Sequence, residues 1–172
     1  MTDLRTGLMW QQNDYHSSNF DDAIAYCEES ITGGWIDWRL PNVKELQSIV
    51  DYSRAPDATD SAAIDPVFNT TSISNEGGEL DWGYYWASTT HARCGGTGTS
   101  GINVSFGRAL GYFEDELTDV HGAGAQRSNN KTDVAEAGAT AHDLGYGTFY
   151  YKGPQGDILR IDNMARCVRD AD

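Results

Sequence analysis

Two cysteines near opposite ends of the 172-residue chain, Cys27 and Cys167, constrain its fold more than any other feature. A bond between them would close a loop of roughly 140 residues and add about 4–5 kcal/mol in the chain-entropy model. It would also require an oxidising compartment, placing the chain outside the cytosol. The third cysteine, Cys94, sits in the loop-like run Arg93-Cys-Gly-Gly-Thr-Gly and is either a free thiol or an intermolecular partner. With no C-x-x-C pair, a cysteine zinc site is not expected.

The length suits one domain with a sizeable core. No stretch approaches the ~20 apolar residues of a membrane span, so no membrane insertion is expected. Met1-Thr-Asp-Leu-Arg5 lacks the basic start and apolar run of a signal peptide. The expectation is therefore a single domain over residues 1–172, excised from a longer exported protein. A formal net charge of −14 disfavours nucleic acid and sulfated polysaccharides, which need Lys and Arg to neutralise their anions.

Local patterning predicts two early helices followed by strands. Phe20, Ala23, Ile24, Cys27 and Ile31 fall on one helical stripe, with Asn19 as N-cap and Asp21 and Asp22 in the first turn. Gly33-Gly34 closes that helix. Trp35–Pro41 is extended, and Asn42 with Glu45 forms a capping box for a second helix running to about Asp51. Residues 53–83 read as a long loop pinned by Ile64, Val67 and Phe68. Tyr84–Ser88 and Ile102–Phe106 read as strands, and Ala109–Phe113 as the hairpin partner of the latter through Gly107-Arg108. Residues 115–156 read as a second long excursion, with a short strand at Tyr146–Tyr151. Asp157–Ile161 and Arg166–Arg169 close the sheet. Early helices followed by antiparallel strands indicate the α+β class.

Several segments, in order, carry a family resemblance: Arg5-Thr-Gly-Leu-Met-Trp10, Ala25-Tyr-Cys27, Trp38-Arg-Leu-Pro-Asn-Val-Lys-Glu-Leu46, Ile64-Asp65, Tyr85-Trp86-Ala87-Ser88 and Ala165-Arg-Cys-Val-Arg169. Over nearly its whole length the chain resembles the C-terminal domains of the Legionella collagen-like adhesin family. That resemblance implies a C-type-lectin-like fold, distantly akin to formylglycine-generating enzymes, with two early helices and a twisted antiparallel sheet with long loops. It implies the disulfide Cys27–Cys167. It further implies an exported, extracellular or surface-attached protein, sometimes trimeric, that binds a glycan or a host or neighbour-cell surface protein. The acidity of this chain argues for a neutral glycan or a protein over a sulfated ligand.

Candidate binding residues follow from chemistry. Trp82 and Tyr84 offer aromatic faces for a sugar ring, and Asp81 an acceptor beside them. His121 and Arg127 lie in the second excursion and are candidates to line a site. Ca²⁺ wants six to eight oxygens, and the loop carboxylates Asp57, Asp60, Asp65 and Asp115 are its candidate ligands. Trp35 and Trp38 are assigned to packing. Gly96-Thr-Gly-Thr-Ser-Gly101 matches a dinucleotide fingerprint literally but leads into a strand, so a nucleotide site is excluded. His16, His91, His121 and His142 show no metal-ligand spacing. With no G-x-S-x-G elbow and no orienting group for a Cys94–His91 pair, catalysis is not expected. The alternatives kept open are an assembly domain (a trimerising cap or filament subunit) and, behind it, an oxidase of the formylglycine-generating type.

Overall fold

The structure, a computed structural model, describes residues 1–92 and 97–171; Cys94 and Gly96 lie outside the described residues. In chain order the elements are β1 (Thr2–Asp3), β2 (Leu8–Trp10), β3 (Tyr15–His16), α1 (Phe20–Glu28), a 3-10 turn (Thr32–Gly34), α2 (Val43–Ser48) and α3 (Pro56–Thr59). Then come β4 (Ser72–Ser74), β5 (Leu80–Trp82), β6 (Tyr84–His91), β7 (Ser100–Ser105), β8 (Leu110–Phe113), β9 (Glu116–Asp119) and β10 (Gln126–Asn130). The chain ends with β11 (Thr140–Asp143), β12 (Thr148–Lys152), β13 (Asp157–Leu159), β14 (Met164–Ala165) and β15 (Val168–Asp170). Among the described residues no helix is long and apolar enough to cross a membrane.

The helices start where their caps dictate. Asn19 Oδ1 accepts the Asp22 N–H at 3.0 Å, and Asp21 and Asp22 face the positive end of α1. Asn42 caps α2 by accepting from Lys44 and Glu45, while Glu45 reaches back to the Asn42 N–H at 2.8 Å. The same Glu45 carboxylate takes a two-pronged contact from Arg39 at 2.7 and 2.8 Å, which fixes the entry into α2.

A central five-stranded sheet runs β10-β7-β6-β14-β3, and a second runs β11-β12-β13-β8-β9. A three-stranded sheet, β1-β2-β15, and the β4-β5 pair complete the architecture. Among the described residues every pairing is antiparallel except β14 with β6. They form an α+β arrangement, mostly β with three helices, in which the strands are shared among four sheets.

β6 lies in the middle of the central sheet and is covered on both faces. Tyr85 meets Phe106 edge-on at 4.7 Å, and Trp86 meets Phe20 of α1 edge-on at 5.4 Å. Cys27 on the buried face of α1 is bonded to Cys167, with the two Cα atoms 5.4 Å apart. Trp38 is buried beside that bond, while Trp35 is partly exposed and its ring stacks 3.9 Å from the Arg169 guanidinium.

Local patterning misplaces several features. The first helix stops at Glu28, which leaves Ile31 off its stripe and exposed, and the second stops at Ser48 rather than near Asp51. The expected β7–β8 hairpin does not form: β7 pairs with β6 and β10, whereas β8 pairs with β9 and β13 in the other sheet. Gly107 passes so close to Trp82 that a Cβ there would lie 2.1 Å from its carbonyl oxygen, and Asp81 captures the Arg108 N–H at 3.0 Å. Those contacts turn the chain out of the first sheet before a hairpin can close. Residues 53–83 are not all loop, since they contain α3, β4 and β5. The second excursion supplies β9 to β12.

The Cys27–Cys167 bond spans a sequence separation of 140 residues. Replacing both cysteines by alanine is expected to lower the unfolding free energy by about 5 kcal/mol on the chain-entropy account, measured by urea denaturation. A loss under about 1 kcal/mol would show that the bond barely restricts the unfolded chain.

Candidate functional site

The first residue of β6, Tyr84, is fully buried at the seam between the two five-stranded sheets. Two guanidinium groups lie near its ring, Arg160 at 4.3 Å and Arg127 at 5.9 Å from the ring centroid. The Tyr84 hydroxyl accepts from Arg127 Nη1 at 3.0 Å, and the same Nη1 donates to the Leu110 carbonyl of β8 at 2.8 Å. Arg127 Nη2 pairs with Asp157, the first residue of β13. His121 Nε2 lies 3.1 Å from the same Asp157 Oδ1. Arg160 in turn holds Glu76 through Nε at 2.7 Å and Nη2 at 2.5 Å. The chain of contacts Glu76, Arg160, Tyr84, Arg127, Asp157, His121 thus crosses the seam.

The formal charges in this chain cancel, with two arginines against two carboxylates. Burial pushes the Glu76 carboxyl up, but Arg160 outweighs that effect and holds it below the ordinary carboxylate range. Burial raises the Tyr84 hydroxyl, so the phenol stays protonated.

Two grooves flank this stack. The first, about 450 Å³, lies between β10 and β13 and is lined by His121, Gln126, Arg127, Ser128, Asn129 and Asp157, among others. The second, about 580 Å³, includes Asn75, Glu76, Tyr146, Phe149, Tyr150 and Arg160 in its lining. Both volumes fall in the range of small-ligand sites.

Of the residues singled out by sequence, His121, Arg127 and Tyr84 come together through Asp157, with Tyr84 as buried support. Asp81 does not join them as an exposed acceptor. It is fully buried, accepts the N–H groups of Trp82 at 2.8 Å and Arg108 at 3.0 Å, and its carboxyl is pushed up by burial. Trp82 is half-buried and packs against the main core, away from that groove. Tyr84 therefore offers no exposed aromatic face, because β6 has a packed layer on each side, whereas Trp82 of β5 keeps part of its surface accessible.

The four candidate Ca²⁺ ligands do not converge. Asp57 accepts from Arg108 Nε at 3.0 Å, and Asp60 closes α3 in a left-handed conformation. Asp65 accepts the Val67 N–H at 2.8 Å, and Asp115 sits at φ 63° in the β8–β9 turn. Among the described residues, no three His, Cys, Asp or Glu side chains are arranged to hold a metal ion. These four carboxylates are therefore not arranged to share one ion.

Sequence reasoning missed Glu76, Asp157, Arg160 and Tyr146. Asp157 and Arg160 are the charged ends of Asp157-Ile-Leu-Arg160, which reads as an ordinary strand. Tyr146 had a detectable signal, since an aromatic between glycines (Gly145-Tyr-Gly147) in a polar run is a presented side chain. Its ring packs on Gly78, where a Cβ would lie 2.3 Å from the ring.

Replacing Glu76 by Gln strands the Arg160 charge and is expected to destabilise the fold by about 3–5 kcal/mol at pH 7. The Glu76 carboxyl titrates lower folded than unfolded, so its contribution is full above its unfolded value of about 4.3 and is lost as pH falls through the folded value. Asp81, raised by burial, acts with the opposite sign and favours the fold as it protonates. Denaturation between pH 7 and 3 is expected to show a shallower acid loss for E76Q than for the parent chain.

Comparison with curated proteins and with solved structures gives no match. The sequence model of the Lcl C-terminal domain matches residues 1–169, so the chain belongs to the Lcl C-terminal domain family.

Proposed function

We propose that this domain is the ligand-recognition module of an adhesin-type bacterial surface protein, built on a C-type-lectin-like scaffold and working outside the cytosol. It binds a glycan or a neighbouring cell's surface protein and performs no chemistry. Membership of the Lcl C-terminal domain family supports the adhesin class. A buried disulfide between α1 and the chain's last segment supports the oxidising compartment.

The single observation that carries the reading is the groove between β10 and β13, where His121 and Arg127 converge on Asp157. Arg127 commits Nη1 to Tyr84 and Leu110 and Nη2 to Asp157, and its remaining Nε is buried without a partner, so it presents no two-pronged face to a sulfate or phosphate. The groove instead offers the exposed Gln126 amide beside the paired Arg127 and Asp157, with Ser128 engaged by His91 and Asn129 by Asn103, a lining that suits hydroxyl and amide ligands.

The assembly reading draws on a different surface. After α1, Ile31, Trp35 and Ile36 present apolar side chains, with Ile36 82% exposed. Light scattering separates the two readings: a monomer at every concentration removes assembly.

A glycan and surface-protein array is expected to yield ligands whose binding is lost in Gln126→Trp, which fills the first groove from an exposed position. Binding that survives the substitution would refute this groove as the site. Because the candidate carboxylates do not converge, the melting temperature is expected to be the same with and without a chelator; a fall on chelation would establish a structural cation.

A further inference from the structure

We propose that a third cavity, lined by Arg160 and Asn163 and adjoining the groove that Tyr146 lines, is a subsite for a neutral sugar ring. This deepens the recognition reading and rests on it. The cavity, about 210 Å³, is lined by His16, Tyr84, Arg160, Asp162 and Asn163, among others. It shares Glu76, Arg160 and Asp162 with the larger groove that Tyr146 lines, so the two adjoin at those residues.

Two buried polar groups in this recess lack partners, and they are complementary. Arg160 is 8% exposed; its Nε and Nη2 are taken by Glu76, and its Nη1 has no hydrogen-bond partner. Asn163 is 2% exposed; its Nδ2 donates to the Arg160 carbonyl at 3.1 Å, and its Oδ1 has no partner. Leaving either group unmet when buried costs about 1–3 kcal/mol. One wants an acceptor and the other a donor. A hydroxyl serves as both, and neighbouring ring hydroxyls serve the two groups together.

Charge selects against acids. Glu76 and Asp162 set two carboxylates against the one guanidinium of Arg160, so the recess carries net negative charge and repels sulfate, phosphate and uronate groups. The exposed Asp162 carboxylate remains as an acceptor for a further hydroxyl. Tyr146 adds the apolar contact that a pyranose face needs. It is 68% exposed and backed by Gly78, and Gly145 and Gly147 both take positive φ to present it.

The test is saturation-transfer NMR and calorimetric titration with methyl glycosides of glucose, galactose and mannose, with glucuronic acid as the anionic comparison. At least one neutral methyl glycoside is expected to bind, and glucuronic acid to bind more weakly. Tyr146→Ala is expected to weaken binding about tenfold. Asn163→Leu is expected to abolish it. Tyr146 is exposed, so Y146A decides the matter even if N163L fails to fold. Silence from every neutral glycoside, or binding unchanged in Y146A, overturns the proposal and leaves the cavity a site for ordered water only. If array ligands are still lost in Q126W while the methyl glycosides are silent, the subsite alone fails. If the array is silent too, the recognition reading fails with it.

Discussion

The architecture depends on how the last segment of the chain is locked into the first. β14 pairs with β3 and with β6, and β15 pairs with β2, so a few C-terminal residues join two sheets. Between those strands, Cys167 is bonded to α1, and Arg166 is completely buried. Arg166 donates to the carbonyls of Gln11, Gln12 and Asn69, lies 3.7 Å from the Asp14 carboxylate, and sits over the rings of Phe68 and Tyr85. A covalent bond limits the unfolded chain. A buried cation with fixed acceptors penalises any packing that leaves it unmatched. Together they make the N-terminal strands, the loop around Asn69 and the C-terminal strand one unit.

Buried arginines recur at the joints of this fold, and their energetics are asymmetric. Replacing a whole buried pair by apolar groups can be neutral, whereas removing one partner leaves a charge without water or counterion. Arg160 with Glu76, Arg127 with Asp157 and Arg169 with Asp37 each join segments distant in sequence. Arg127 is the clearest case: it belongs to β10 of the central sheet but bonds Leu110 and Asp157 of the second sheet. The second sheet has only a small core of its own, around Leu110, Tyr112, Phe149 and Ile158. A polar seam therefore orients it where apolar burial alone gives limited area.

The parts legible in sequence were those whose cause is local. Asn19 and Asn42 announce helix starts because a cap acts within three residues. The Cys27 stripe announces a buried helical face for the same reason of short range. The family motifs then supplied the disulfide partner, which no local pattern fixes. The β7–β8 connection was misread because Gly107-Arg108 resembles a turn, while Asp81 and Trp82, far away in sequence, decide where it goes. Asp81 and Tyr84 looked like ligand contacts because residue type reports chemistry but not depth. The burial of Tyr84 follows from the central position of β6, and that of Asp81 from the Gly107-Arg108 segment folded over it, both visible only once the strands are assembled.

Seams of this kind are natural places for recognition. A purely apolar junction between sheets would close tightly, because methyl groups interdigitate without residual demand. An ion-pair junction cannot do so: guanidinium and carboxylate groups have directional donors and acceptors, and those left over at the edge still require partners. Here Arg160 and Asn163, which keep the buried unpartnered atoms Nη1 and Oδ1, line one cavity, while Asp157 and Arg127 line the other groove. The staple at Cys27–Cys167 keeps the central sheet fixed, and glycine-flanked Tyr146 hangs on the rim of the less tightly packed second sheet. Rigidity and accessible polar surface are thus assigned to different sheets, and the binding chemistry collects where the two meet.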